Sequence, residues 1–439
     1  MRAGHIGAGR AAVAAEGRLG GMYLVIAAAM FNLVLCFLSS RHWMLVGNSQ
    51  IAVVEITILA AGLYLIRQRI DRTALWLMAL TTGFVVGARL VNPALSVKIL
   101  HDVGIMYIFY MLGRMASERT AWSTIRILIV LVLVVGFVEL VFTNIYASLF
   151  NIWDYYVQKG VIAKDTVNYS NTNLFLSGNR GAGASRTFFQ SIFGPHRVSS
   201  IFLEPDSLGN FSAVLFAWCL SVSRNQPGQR CVVMYALAVL CFVLADSRFA
   251  SGCCLLMLLV RVSPFRRSAL AAFLFPILIG TLLTLVGTMH ELPGVLPAII
   301  KDDLAGRLIF SGRLLDYWGL GQWFGLAPSQ VYTLDTGYAY VLNNLGAVLT
   351  LFYLGLFAFH PSRTPEGATM KTMISVYFAT SLCIGASVFT IKTAALLWFL
   401  YGVTDAMGPA ALRIRPRMIR VPAGMAVPSL TRRYGKSHA

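Results

Sequence analysis

The chain has 439 residues, 57% of them hydrophobic and 12% charged, with a mean hydropathy of +0.70 and a formal net charge of +18. A soluble domain carries about 25% charged residues, so this composition excludes an ordinary water-soluble protein and points to a membrane protein. The pI near 9.9 does not indicate nucleic acid as a partner, because the basic residues are dispersed among short segments between apolar blocks.

Apolar blocks of about twenty residues, enough for a helix to cross roughly 30 Å of hydrocarbon, occupy 21–38, 43–66, 74–91, 96–113, 124–143, 206–223, 231–246, 249–262, 268–288, 338–359, 372–391 and 393–411. Only helices satisfy their own backbone in lipid when sheet edges are open. The expectation is an all-α polytopic membrane protein with about 12 transmembrane helices, forming a single integral domain over 1–439. The first block follows Arg2, Arg10 and Arg18 but is long for a signal peptide and lacks a small-x-small cleavage site, so a retained span is expected. The triplet Asp246-Ser247-Arg248 predicts a break between two spans, since one continuous helix would carry it through lipid.

Of the 36 Lys and Arg residues, 23 fall in the alternate segments 1–20, 67–73, 114–126, 224–230, 261–267, 360–371 and 412–439, with only four of the 18 acids. Positive charge retained on one face places these segments and both termini in the cytoplasm. The tail 412–439 is expected to lie as a basic segment against anionic lipid. Two long connections, 144–205 and 289–337, then become large loops on the outer side, which the resemblance below makes periplasmic. Their aromatic residues, among them Trp153, Tyr155, Tyr156, Tyr317, Trp318 and Trp323, suit either a belt at headgroup depth or a platform for sugar rings.

The basic residues singled out on this outer side are arginines: Arg180, Arg186 and Arg197, then Arg248 at the short turn, then Arg307 and Arg313. A guanidinium fork suits the paired oxygens of a phosphate. The alternative for each is a surface charge paired with Asp154, Asp165, Asp302 or Asp303. The run from Gly178 to Arg186 mixes glycines with arginines, as a phosphate-facing backbone or a plain linker would. There is no Walker sequence, and neither loop has an H-E-x-x-H or Asp-x-Asp pair, so no metal and no cofactor are expected. The seven cysteines fall in or beside apolar blocks with no C-x-x-C spacing.

Four stretches taken together are distinctive: Arg197 to Gly209, which contains Phe202-Leu203-Glu204-Pro205-Asp206; Asp246-Ser247-Arg248; Gly312-Arg313 with Trp318 and Gly319 to Gly325; and Asp335-Thr336-Gly337-Tyr338 with Gly346. In this order, in two large outer loops, they resemble the Wzy-type O-antigen and exopolysaccharide polymerases of the O-antigen ligase superfamily. The resemblance covers about 197–356. It implies a metal-independent glycosyltransferase of the bacterial inner membrane that joins polyprenyl-diphosphate-linked oligosaccharide repeat units on the periplasmic face. A chain-length regulator and a flippase would be its partners, beside the membrane lipid itself. Such proteins pair an arginine with a glycine in both loops, usually with ten residues between; here the pairs are Arg197 with Gly209 and Arg313 with Gly325, each with eleven residues between, a departure of one. Without a metal, the outer arginines Arg186, Arg197, Arg248, Arg307 and Arg313 are the expected holders of the diphosphate. Glu204, Asp335 and His196, each beside an arginine motif or a span mouth, are candidates for the base that takes the acceptor hydroxyl proton, Glu204 first.

Related ligases carry a His-Asn pair where the last outer loop enters its span, whereas this chain has Asp335-Thr336 and its only histidine in that loop is His290. That favours a polymerase over a ligase. A transporter or flippase is the other class: Glu55, Glu139 and Asp405 fall within or near the ends of apolar blocks, where charge is costly and usually functional. No internal repeat accompanies them.

Overall fold

The computed structural model describes the backbone of residues 3–163, 173–174, 189, 193–194, 196–223, 229–289, 304–329, 331, 333 and 335–407, with side chains from residue 19 onward and from 231 in the helix that starts at 229. The expected basic tail, Arg180, Arg186, Asp165, His290, Asp302 and Asp303 lie outside these residues. The described residues belong to one compact unit, within Met1–Met407.

Among the described residues there is no strand, and the helices run α1 Ala3–Ser40, α2 Asn48–Ile66, α3 Arg72–Val91, α4 Lys98–Met115, α5 Glu118–Val141, α6 Thr143–Leu149, α7 Ile152–Gln158, α8 Pro205–Val222, α9 Gln229–Ala245, α10 Arg248–Val262, α11 Ala269–Met289, α12 Leu304–Asp316, α13 Leu320–Trp323, α14 Gly337–Phe359, α15 Pro365–Ser381 and α16 Ile391–Ala406. Each of the twelve apolar blocks contains or overlaps one of these helices. Six segments are long and apolar enough to cross a membrane: Leu19–Ser40, Asn48–Arg69, Arg72–Val91, Glu118–Val141, Ala269–Met289 and Gly337–Phe359. The chain is therefore a helical protein with membrane-spanning character. The others are shorter or more polar; α4 carries Lys98, His101, Asp102 and Arg114 within 18 residues.

Helix starts follow local chemistry. Asp71, Ser117, Asn151, Ser247 and Thr364 each accept a backbone N–H from the first turn of the following helix, which satisfies a donor the helix cannot pair itself. Thr364 with Pro365 at the first helical position explains why α15 starts seven residues before the expected block at 372. Lys371, expected in a cytoplasmic loop, is consequently inside α15 and buried, donating to the carbonyls of Ala358 and His360 that end α14. At the other end α15 stops at Ser381, and a turn through 382–390 occupies what was expected to be the rest of that span.

Helices meet where small residues let their backbones touch. A Cβ on Gly113 of α4 would lie 2.0 Å from the Phe399 carbonyl of α16, and one on Gly402 would lie 2.1 Å from that of Tyr110. Without a hydrophobic driving force between helices in lipid, such close backbone packing supplies the attraction. Tyr110 and Asp405 close the same interface, hydroxyl to carboxylate at 2.8 Å, while Asp405 also accepts from the Arg363 amide at 3.1 Å. Asp405 is thus a structural tie at one end of the bundle. In α11, Pro276 lies inside the helix and lacks the N–H that would bond the Ala272 carbonyl. Ser375 of α15 donates its hydroxyl to that carbonyl instead.

The described parts of the two long connections contain helices. The first opens with α6 and α7, whose Tyr146, Tyr155 and Tyr156 are at most 2% exposed. They belong to the core, so neither a belt nor a sugar platform describes Tyr155 and Tyr156. In the second, α12 packs on α11, where a Cβ on Gly312 would meet the Leu283 carbonyl at 2.1 Å. The open face of Gly312 is filled by protein backbone.

Candidate functional site

One group of polar residues lies at the end of the bundle where α2, α4, α8, α10 and α16 begin and α5 and α9 finish. Glu139, at the end of α5, is fully buried and accepts hydrogen bonds from the amides of Ser199 and Ser200. Its Oε1 lies 2.7 Å from His196 Nε2. These bonds fasten the 196–206 segment to the bundle. The segment is bent hard: Ser200 (φ 53°), Leu203 (φ 64°) and, in the adjacent turn, Asp246 (φ 46°) are left-handed without being glycine. Such conformations cost about 1–3 kcal/mol each, persist only where surroundings impose them, and gather at functional sites.

Arg197 braces the strained segment. Its Nη2 lies 3.0 Å from Asp206 Oδ1 and its Nε donates to the Ala245 carbonyl at 3.0 Å. Ser247, capping α10, fits only because α8 has Gly209 opposite; a Cβ there would come within 2.7 Å of the Ser247 side chain. The glycine of the first arginine–glycine pair is therefore a packing requirement between α8 and the Asp246-Ser247-Arg248 turn.

Glu204 stands at the mouth of α8, one residue before the proline that opens the helix. Its Oε2 accepts from Lys392 Nζ at 2.6 Å and from Ser207 Oγ at 2.8 Å, and its Oε1 accepts from Tyr156 at 2.6 Å. Burial alone would push this carboxyl up. The Lys392 ammonium, the bonds from Lys392 and Tyr156, and the Lys159 charge outweigh burial and hold it at about 2. Lys392, on the first turn of α16, is 7% exposed, and Glu204 is 27% exposed. Burial and the Glu204 charge keep the Tyr156 phenol protonated, well above its ordinary value.

A second polar group faces this one from α2, α4 and α14. Asp102, fully buried, accepts from Tyr340 at 2.6 Å and lies 3.1 Å from His101 Nδ1 and 3.5 Å from Lys98 Nζ. His101 Nε2 approaches Glu55 Oε2 at 3.4 Å, an ion-pair distance without hydrogen-bond geometry. Glu55 lies about 10 Å along α2 from its start at the same end. Lys159, just past α7, lies over the Tyr156 ring and within electrostatic reach of both groups: the charges that act on it are Lys392, Glu204, Glu55 and Lys98.

Of the residues singled out in the sequence, the 196–206 segment holds Glu204, His196 and Arg197 together, with Arg248 opening α10 across the neighbouring turn. Arg307 is exposed on α12, and Arg313 on the same helix donates to the Tyr317 hydroxyl at 3.1 Å. That helix packs in a separate hydrophobic group with Leu283, Ala339 and Cys383, whereas Tyr156 and the residues around Glu204 belong to the main core. Asp335 is exposed two residues before α14. Sequence reasoning missed Lys392, Lys159 and the Lys98–His101–Asp102 trio. The positive-inside argument applied to the arginines applies equally to these lysines and would have found them. Among the described residues no group of three or more His, Cys, Asp and Glu could hold a metal ion. Compared with known proteins, the chain matches no family model, no curated protein and no solved structure.

Proposed function

We propose that the chain is a glycosyltransferase of the bacterial inner membrane that joins polyprenyl-diphosphate-linked oligosaccharide repeat units into a surface polysaccharide, with twelve helices crossing the bilayer, both termini cytoplasmic and the Glu204 site on the periplasmic face. One observation carries the reading: a carboxylate, two hydroxyls and a lysine converge on a strained segment at one end of the helix bundle, a position that a lipid-anchored substrate would reach by lateral diffusion. The motifs of the 197–356 region support the same assignment.

In the reaction, the oxygen of an acceptor sugar hydroxyl forms a bond to the anomeric carbon of the donor. The bond from that carbon to the diphosphate breaks, and the diphosphate leaves with the electron pair. Glu204 takes the hydroxyl proton. In the resting site it is a poor base, because Lys392, Tyr156 and Ser207 all stabilise its ionised form. A diphosphate that draws Lys392 away removes the strongest of these and raises the basicity of Glu204 when substrate is present. Arg307 and Arg313 meet the diphosphate from the second loop, and Arg197 acts by holding the 196–206 segment in place.

The test is polymer length on a gel, in cells lacking the chromosomal copy, with immunoblotting to equalise abundance. Glu204→Gln keeps the shape and most of the hydrogen bonding but cannot accept a proton; it is expected to leave only single repeats. Long polymer from Glu204→Gln at parental abundance would remove Glu204 from the chemistry.

A further inference from the structure

The cations at this end of the bundle are not equivalent. Lys392 is matched by Glu204 at 2.6 Å, and Lys98 has Asp102 at 3.5 Å and the Tyr340 ring at 5.3 Å. The Lys159 ammonium has no carboxylate within ion-pairing distance and no hydrogen bond among the described residues; it lies 5.4 Å from the centre of the Tyr156 ring. Glu55 offers a third carboxylate but approaches His101 instead. Lys159 is nonetheless only partly exposed, and it lies within electrostatic reach of both other lysines.

An ammonium with no carboxylate in direct contact, within reach of two further lysines and partly out of water, suits an anion that can displace the distant charges of Glu204 and Glu55. We infer that Lys159, with Lys392 and Lys98, forms an anion subsite between α2, α4, α7 and α16 that takes the phosphate oxygens of a lipid-linked diphosphate. The inference rests on the reading of the protein as a transferase acting on such lipids, and it moves the innermost phosphate contacts from the arginines to lysines. Three ammonium groups from three separate parts of the chain suit a diphosphate better than a single phosphate, because its charge is spread over two phosphorus centres. A lysine presents a point charge without a fixed fork, so the subsite tolerates a group that must enter charged and leave more charged after transfer. Burial first, then Lys392 and Lys98, pull the Lys159 ammonium below the ordinary lysine range, with Glu204 and Glu55 opposing. An anion brought to it would reverse that.

The experiment uses the purified full-length chain in phosphatidylcholine nanodiscs, with farnesyl diphosphate and inorganic pyrophosphate as probes and calorimetry as readout. The parent is expected to bind farnesyl diphosphate, and Lys159→Gln to bind it at least tenfold more weakly. Lys159→Arg, which keeps the charge, should stay within a few-fold of the parent. The thermal midpoint of ligand-free Lys159→Gln should equal or exceed that of the parent, since a crowded cation is gone; a residue with a merely structural role would lower it. Equal affinity of Lys159→Gln and parent overturns the inference. Loss of farnesyl diphosphate binding when phosphatidylglycerol replaces phosphatidylcholine would assign the subsite to bilayer headgroups and overturn the diphosphate. The transferase reading fails separately: if no preparation makes polymer from lipid-linked repeats while Lys159→Gln still loses the probe, the subsite stands and the polymerase does not.

Discussion

The 196–206 segment and helix α12 both carry arginines that the sequence marks as phosphate ligands, yet the two regions are built differently. In the first, Arg197 is spent on Asp206 and the Ala245 carbonyl, Glu139 pins the backbone from below, and the group left facing inward is Glu204 with its lysine. In the second, Gly312 is sealed against α11 while Arg307 is exposed and Arg313 reaches Tyr317 one turn along its own helix. An arginine beside a glycine is thus a brace in one place and a surface group in the other. In the proposed reaction, the first region would act through residues that the brace positions.

The contrast breaks most sharply at Glu139. Replacing it by leucine would leave the Ser199 and Ser200 amides and His196 without their acceptor, and each buried unpaired donor costs about 1–3 kcal/mol. Glu139→Leu is expected to lose most folded protein from the membrane, measured as the monodisperse fraction after detergent extraction. Near-parental yield would show that the strained segment holds itself.

A smaller effect, on turnover and not on folding, is expected in the second region. If Arg313 grips two phosphate oxygens, Arg313→Lys keeps the charge but loses the fork, and turnover should fall about tenfold, since a charge-assisted bond contributes roughly 1.5–3 kcal/mol. Arg313→Ala should fall further, at unchanged abundance. Full-length polymer from both variants would assign the diphosphate to the lysine side alone.

The smallest effect is a pH dependence of stability. The Glu204 carboxyl is held at about 2 against an ordinary 4.5, so its favourable interactions are fully present above 4.5 and are lost as pH falls toward 2. The thermal midpoint of the parent should exceed that of Glu204→Gln by about 2 °C at pH 6, with the gap closing below pH 4.5. A gap that is constant down to pH 3 would mean the Lys392 pairing contributes nothing.

Helix positions were legible because hydropathy and helix length measure the same bilayer; each apolar block from 21–38 onward holds or overlaps a helix. Where reading failed, a local signal outranked hydropathy: Thr364-Pro365 starts α15, although Glu366 and Lys371 make that stretch look like a loop. Glu204 was legible as a polar residue at a span mouth. Its partners were not, because Lys392 stands in front of an apolar run, Tyr156 reads as one aromatic among many, and Lys159 follows a seven-residue helix. Only packing of α7 between α1 and the 196–206 segment brings the three together, and no spacing along the chain encodes that. The weight given to guanidinium forks also drew attention to arginines, where the structure gathers ammonium groups.

The proline in α11 has a consequence for how the protein is made. Pro276 leaves the Ala272 carbonyl without its helical partner, and the Ser375 hydroxyl that accommodates it lies 103 residues further along the chain. Several helices must leave the ribosome between the two. During that interval α11 carries a bare carbonyl, which hydrocarbon penalises. The hydrogen bonding of α11 is therefore completed only once α15 packs against it.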